Sequence, residues 1–250
     1  MSTKQRLDHM LVARGLVTTR SQAESWIRLG KVEVEGRIVQ KPGHMVAADD
    51  TIKLLSHERY VSRAGLKLAS VANKLGVQFQ DSIVLDVGSS TGGFTDYALQ
   101  HGAVKVFAVD VGTDQLHPSL RRDGRIELHE KTDIRNFTPN EMPSIVVMDV
   151  SFISLREILP HMASIVGPET QVVAMVKPQF EAGRDQVHKG VIKNDRVRRD
   201  ILVSFEQWVK QRFVIIDKAD SDVAGAKGNR ERFYLLTLNR NSTISSGRMT

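Results

Sequence analysis

The sequence predicts an α/β protein: a doubly wound, largely parallel sheet with helices on both faces, preceded by a small α+β module. Three observations carry that expectation. From residue 82 onward, short and nearly continuous apolar strands alternate with helical stretches, the pattern of a parallel sheet covered on both faces. The first of these strands runs into a glycine-rich turn that opens a helix, the local arrangement of a ligand-binding crevice. The first sixty residues lack this rhythm and read instead as two short helices followed by a few alternating strands.

Within the small module, Leu7, Met10, Leu11 and Ala13 fall at helical spacing, and Gly15 offers a stop. Thr18, Thr19 and Ser21 supply capping oxygens for a second helix over 21–30, which buries Ala23, Trp26 and Ile27 and ends at Gly30. Alternating runs on either side of Glu35-Gly36 read as a hairpin, Pro42-Gly43 breaks the pattern, and 51–55 adds a strand. The expected boundaries are a module over 1–58, a short linker over 59–61, the α/β domain over 62–240 and a fraying polar tail over 241–250. Strands are expected over 82–88, 105–112, 125–130, 144–151, 171–180, 213–220 and 232–238, and helices over 92–102, 153–166 and 196–212. The last two strands, joined by a Gly/Asn-rich loop, read as an antiparallel hairpin at the sheet edge.

With 41% hydrophobic and 26% charged residues, the chain of 250 residues has a globular composition. It contains no cysteine, which excludes disulfides, thiolate zinc sites and cysteine nucleophiles. No apolar run approaches the length of a membrane span, and MSTKQRLDHM lacks the apolar core of a secretory signal, so a cytoplasmic protein is expected. His9, His44, His57, His101, His117, His129, His161 and His188 show no metal-ligand spacing, and no metal is expected. The net charge of +6 is unevenly spread: residues 1–60 hold 10 Lys/Arg against 7 Asp/Glu, and residues 61–240 hold 24 against 22. The concentration of positive charge in the small module fits a polyanionic partner, with Arg6, Arg14, Arg20, Arg28 and Lys31 as candidate phosphate contacts.

The turn after the first strand of the α/β domain reads Asp86, Val87, Gly88, Ser89, Ser90, Thr91, Gly92, Gly93, Phe94. It matches neither GxGxxG nor a P-loop, and phosphate-binding turns rarely place an acid just before the first glycine. A carboxylate there suits a ligand with a cationic amino group, such as the methionine part of S-adenosylmethionine. The next strand ends at Asp110, with Val111 beside it, placed to accept hydrogen bonds from a ribose diol. Asp133, after the third strand, is the candidate partner for an adenine amino group.

Ionisable residues also interrupt the apolar strands where open parallel sheets bind ligands. Asp149 ends SIVVMD and Lys177 ends QVVAMVK. A lysine following an apolar run is costly to bury unless paired, and desolvation favours its neutral, proton-accepting form. Lys67 in SRAGLKL and Glu231 in GNRERF are further candidates.

Together SRAGLKL, LDVGSSTGGFTD, VDVGTDQL, VMDVSFISL, VKPQFEAGRDQVHKGVIKN and KGNRERFYLL closely resemble the haemolysin-A-like (TlyA) family, from about residue 5 to residue 239. The resemblance implies an FtsJ/RrmJ-like, Rossmann-like S-adenosylmethionine-dependent methyltransferase sheet behind an S4-type RNA-binding domain. It implies methylation of a cytidine ribose 2′-hydroxyl in 23S ribosomal RNA, with 16S as a second substrate. It also implies a Lys–Asp–Lys–Glu tetrad over the cofactor, matched here by Lys67, Asp149, Lys177 and Glu231. In that reading Lys177 takes the hydroxyl proton, Asp149 orients it, and Lys67 and Glu231 position the ribose. The family often has Ser-Pro before its last glycine loop, where this chain has Ser221-Asp222, and some members carry a longer C-terminal extension. The haemolysin label raises a membrane-active alternative, which the lack of a spanning or free amphipathic segment disfavours. A catalytically silent RNA-binding protein is the other alternative, and an intact tetrad disfavours it. A methyltransferase acting on a small molecule or a protein would leave the basic module without a purpose.

Overall fold

The computed structural model describes residues 4–17, 20–28, 30–54, 60–183, 190–192, 194–223, 225 and 228–239. The capping candidates Thr18 and Thr19, the linker residue Arg59, His57, His188 and the tail 241–250 lie outside these residues. The chain divides into two compact units, Met1–Arg59 and Tyr60–Thr250.

The first unit begins with β1 (Gln5–Arg6), α1 (Leu7–Ala13) and α2 (Arg20–Arg28). It continues through β2 (Val32–Val34), β3 (Arg37–Ile38), β4 (Met45–Val46) and β5 (Ile52–Leu54). β2 pairs antiparallel with both β3 and β5, and β1 pairs with β4. The β1–β4 pair, two residues on each side, is too short to leave a periodic trace in the sequence. Leu7, Leu11, Ala23, Trp26, Ile27 and Val32 close a small core between the helices and the sheet.

The second unit opens with α3 (Arg63–Ala72), a helix not anticipated from the sequence. Tyr60 and Val61, expected in a linker, are instead packed into this unit: Tyr60 is fully buried, and the Val61 N–H donates to Asp96 Oδ2 at 2.7 Å. Next come β6 (Ile83–Val87), α4 (Gly93–Gln100), β7 (Lys105–Val109), β8 (Ile126–His129), β9 (Ile145–Met148) and α5 (Leu155–Ile165). The unit continues with β10 (Gln171–Val176), α6 (Pro178–Glu181), α7 (Asp195–Val209), β11 (Phe213–Asp220) and β12 (Arg232–Leu238). The seven strands lie in the order β11-β12-β10-β9-β6-β7-β8. β8, β7, β6, β9 and β10 run parallel, whereas β12 is antiparallel to β10 and to β11. The expected hairpin is thus present, with its second strand wedged inward and β11 left at the edge.

Strand alternation explains the continuous apolar runs, because both faces of the sheet are covered. Val84, Val147, Val173, Met175 and Phe233 point into a core shared with α3 and α4, whereas Leu85, Val146, Val172, Val176 and Tyr234 join a second core with α5 and α7. Not every crossover is helical: the links from β7 to β8 and from β8 to β9 carry only short 3₁₀ turns, at Leu120–Arg122 and Ile134–Asn136. Because β7 and β9 flank β6 on opposite sides, the strand order reverses at β6, which opens a crevice beyond the strand ends.

Candidate active site

Alternation puts Asp86 on the same face as Val84, directly beneath the start of α4. There its Oδ2 accepts from the Thr95 N–H at 2.9 Å and from Thr95 Oγ1 at 2.6 Å. Its Oδ1 is buried without a hydrogen-bond partner. Burial pushes the Asp86 carboxyl up to about 7, opposed by the Thr95 hydrogen bonds and reinforced by the charges of Asp149 and Asp110. Beyond it the chain turns through Gly88, at φ +81°, where a side chain would press on the Asp149 carbonyl at 3.0 Å. Glycine at this position lets the β6 turn and the end of β9 close against each other. Asp86, Gly88, Ser89, Ser90, Thr91, Phe94 and Asp149 line a small cavity there, joined by Ser62 and Ala64 from the entry to α3.

A larger cleft of about 360 Å³ lies on the other side of Gly88, Ser90 and Asp149, lined also by Asp110, Val111, Gln115, Thr132, Asp133 and residues 150–153. Asp110 holds its floor, accepting from the Ser90 N–H at 2.8 Å and the Gly112 N–H at 2.7 Å. Asp133 is clasped by Arg135 Nη2 at 2.6 Å and caps the following 3₁₀ turn. Its carboxyl is held below the usual range, chiefly by that Arg135 hydrogen bond. Val111 is 73% exposed, which leaves an apolar surface at the cleft mouth.

The tetrad resolves into two ion pairs. Lys67 Nζ lies 2.6 Å from Glu231 Oε2, and Lys177 Nζ lies 2.6 Å from Asp149 Oδ1 and 2.7 Å from Ser151 Oγ. Lys177 and Glu231 are both buried. Val176 faces Arg232 in the β10–β12 register, so one step further Lys177 stands opposite Glu231, and the two pairs are neighbours. Lys67 reaches them because α3 and α4 touch through glycines: a side chain on Gly65 would meet the Gly93 carbonyl at 2.9 Å, and one on Gly93 would collide with Ser62 Oγ. Gly92, at φ +93°, caps α4, and Phe94 packs on Phe233 behind the pair.

Several lining residues were not anticipated. Ser151 holds Lys177 from the other side of Asp149, and it stands two places beyond that aspartate in VMDVSF. Phe152 is 91% exposed at φ +66°, its ring 5.3 Å from Phe180. Buried Glu181 accepts from Ser154 Oγ at 2.6 Å and from the Leu155 N–H at 2.7 Å, tying the loop after Asp149 to the helix after Lys177. Ser62 and Ala64 stand in the SRAG stretch ahead of Lys67.

In the first unit the basic residues have defined surroundings. Arg6 and Arg20 both grip buried Asp8, at 2.8 and 3.1 Å. The Arg6 hydrogen bond, ahead of the Arg20 one, holds Asp8 at about 2 against the cost of its burial. Arg14 donates to the Asp50 and Ala48 carbonyls at 2.8 Å, Arg28 is exposed in the last turn of α2, and Lys31 Nζ lies 5.8 Å from the Trp26 ring. No group of three acidic or imidazole side chains that could hold a metal occurs among the described residues. Nor is any helix among them long and apolar enough to cross a membrane.

Residues 60–239 match the FtsJ-like methyltransferase family model, and residues 5–52 match the S4 domain model. The chain is 34% identical to the 16S/23S rRNA (cytidine-2′-O)-methyltransferase TlyA of Mycobacterium tuberculosis, over 98% of this chain and 94% of that protein. It is 38% identical to a Brachyspira hyodysenteriae protein named Hemolysin A, over 90% and 97% of the two chains. A solved structure from Streptococcus thermophilus that also carries the hemolysin name superposes with a TM-score of 0.75 at 38% identity, covering 96% of this chain and 90% of that one.

Proposed function

Because the chain belongs to the FtsJ-like methyltransferase family, we propose that it transfers a methyl group from S-adenosylmethionine to a cytidine ribose 2′-hydroxyl in ribosomal RNA. The observation that carries this reading is the pairing of Lys177 with Asp149, which lines the Gly88 cavity, next to the pairing of Lys67 with Glu231. The 23S molecule is the first candidate and 16S the second, as in the relative from Mycobacterium tuberculosis. The work of such an enzyme lies in the cytoplasm.

The residues present fit the cofactor. Unpartnered Asp86 Oδ1 offers a carboxylate to an ammonium, Asp110 and Val111 suit a ribose and the edge of a base, and Asp133 stands further along the same cleft. Ser89, Ser90 and Thr91 close the turn at its inner end. When bound, S-adenosylmethionine supplies an electrophilic methyl on a sulfonium.

The chain's own task is to align and deprotonate a weak nucleophile. Lys177 is the group assigned to accept the proton that the 2′-hydroxyl loses. Asp149 then compensates the ammonium formed 2.6 Å away, and Ser151 fixes the direction of Nζ. Lys67 and Glu231 hold the ribose beside that amine. In the S4 domain, Arg6, Arg14, Arg20, Arg28 and Lys31 grip phosphates and position the RNA by shape rather than by base. Asp8 sets Arg6 and Arg20 in place for this.

The test is transfer of labelled methyl from S-adenosylmethionine to ribosomal subunits of a strain lacking the protein, with the modified nucleotide mapped. Wild type labels a ribose 2′-hydroxyl and Lys177→Ala does not. Cofactor-loaded wild-type protein that labels neither subunit would overturn the ribosomal assignment.

A further inference from the structure

One cavity of the second unit plays no part in the chemistry above. It measures about 310 Å³ and is walled by Asp195, Arg198 and Arg199 on the first turn of α7, by Leu202 one turn further, and by Arg230 and Arg232 at the start of β12. Two of the four arginines are fixed. Arg232 Nε and Arg198 Nη2 both reach Asp220 Oδ1, at 2.6 and 2.8 Å, and Arg198 Nε donates to the Arg230 carbonyl at 3.0 Å. The other two, Arg199 and Arg230, are exposed, and among the described residues neither is paired with a carboxylate. Leu202 is buried beneath them.

Four guanidiniums against Asp220 and exposed Asp195 leave this cavity strongly positive, and a guanidinium cannot discharge itself by losing a proton. A concave site of one sign gathers counter-ions. Its place in the sheet says which anion is at hand. Residues 233 and 235 of β12 face α3 and α4, whereas 234 and 236 face α5 and α7, and the same alternation carried back assigns 231 to the first face and 232 to the second. Glu231 therefore turns to Lys67 on one face while Arg230 and Arg232 turn to α7 on the other. Neighbouring Cα atoms lie about 3.8 Å apart, so the cavity stands one strand thickness behind the tetrad, at the same end of the strands. Among the described residues no aromatic or amide side chain lines it, so these offer nothing with which to read a base.

We propose that this arginine cavity is a phosphodiester subsite, taking a backbone phosphate of the RNA strand that carries the acceptor nucleotide. Arg199 and Arg230 close on the phosphate oxygens in the bidentate manner of guanidinium forks. Arg198 and Arg232, held by Asp220, form the rigid back wall. The subsite rests on the RNA methyltransferase reading and extends it to a sequence-independent grip beside the reaction centre.

The test is the double variant Arg199→Ala/Arg230→Ala, which leaves the Arg198–Asp220–Arg232 cluster intact. Binding of a labelled ribosomal RNA fragment is followed across a salt titration, alongside steady-state methyl transfer. The slope of log affinity against log salt becomes shallower by about 0.7–0.9 for each phosphate that the variant no longer neutralises. KM for RNA rises about tenfold or more, while kcat and S-adenosylmethionine affinity stay at wild-type values. An unchanged slope and KM overturn the subsite. Should the double alanine variant unfold, Arg199→Lys/Arg230→Lys decides: a near-wild-type slope with weaker binding supports the subsite, and a collapsed slope in a folded protein overturns it. The two readings fail separately. Wild type without methyl transfer but with arginine-dependent RNA binding fells the enzyme assignment alone, whereas normal transfer by a variant with the wild-type slope fells the subsite alone.

Discussion

Asp86 shows how much a single side chain can reveal about a site. Alternation along β6 reserves its position for an apolar residue under α4, yet a carboxyl stands there with one oxygen satisfied by Thr95 and the other by nothing among the described residues. Burial lifts it to about 7, whereas in the unfolded chain it titrates near 4. Between those values the unfolded state gives up its proton first, so stability of the ligand-free protein falls as pH rises and levels off above about 7. An ammonium facing Oδ1 favours the ionised form. S-adenosylmethionine affinity measured by calorimetry should therefore climb with pH, by up to about tenfold per unit below 7, and then plateau. Asp86→Asn should bind weakly at every pH, and a flat wild-type profile would remove Asp86 from the cofactor site. The acid before the glycine turn was legible in the sequence because strand, turn and helix are adjacent in the chain. The pairing of Lys67 with Glu231 was not, because no local pattern links residues so far apart; only the family resemblance put them in one set.

Among the elements of the second unit, the strands and the helices α4, α5 and α7 were readable, whereas α3 and the links flanking β8 were not. A parallel strand buried on both faces must be apolar throughout, so β6, β7, β9 and β10 announce themselves. By contrast α3 begins with a glycine in its first turn, a poor helix former placed there by the contact with Gly93, and its helical register shows only once that packing is known. The links flanking β8 cross the sheet by 3₁₀ turns, which leave no 3.6-residue stripe. The loop after β9 is the least regular element and the most tightly fastened. Phe152 adopts a left-handed backbone that costs a bulky residue about 1–2 kcal/mol, and Glu181 holds the far end of that loop through Ser154 and the Leu155 N–H. Glu181→Ala strands both donors, and chemical denaturation should show a loss of about 2 kcal/mol. Its kcat should drop, since the loop carries Ser151, and S-adenosylmethionine affinity should fall with it, since residues 150–153 also line the larger cleft. Glu181→Gln, retaining one acceptor, should lie between.

At the scale of the whole molecule, the first unit carries the larger charge excess for its length and the second carries the chemistry. The tetrad, both clefts and the arginine cavity belong to Tyr60–Thr250, and Arg6, Arg14, Arg20, Arg28 and Lys31 belong to Met1–Arg59. That division was legible in the excess of Lys/Arg over Asp/Glu before residue 60, as were the two helices, the hairpin and the last strand of the small unit, whereas the β1–β4 pair was not. Arg20→Ala/Arg28→Ala should weaken binding to ribosomal RNA to a similar degree whatever the sequence, and flatten the salt dependence by about 0.7–0.9 per phosphate. S-adenosylmethionine affinity should not change. A variant with undiminished salt dependence would show that these arginines merely face solvent.

The antiparallel β12 also has a consequence in time. Lys67, Asp149 and Lys177 emerge from the ribosome in that order, but Glu231 and the strand that slots between β10 and β11 come only after β11 has been made. A chain arrested before residue 231 holds three quarters of the tetrad and a sheet with an open slot beside its edge, where β10 and β11 have no partner between them. The proposed reaction centre is thus completed only once the chain beyond β11 has been made.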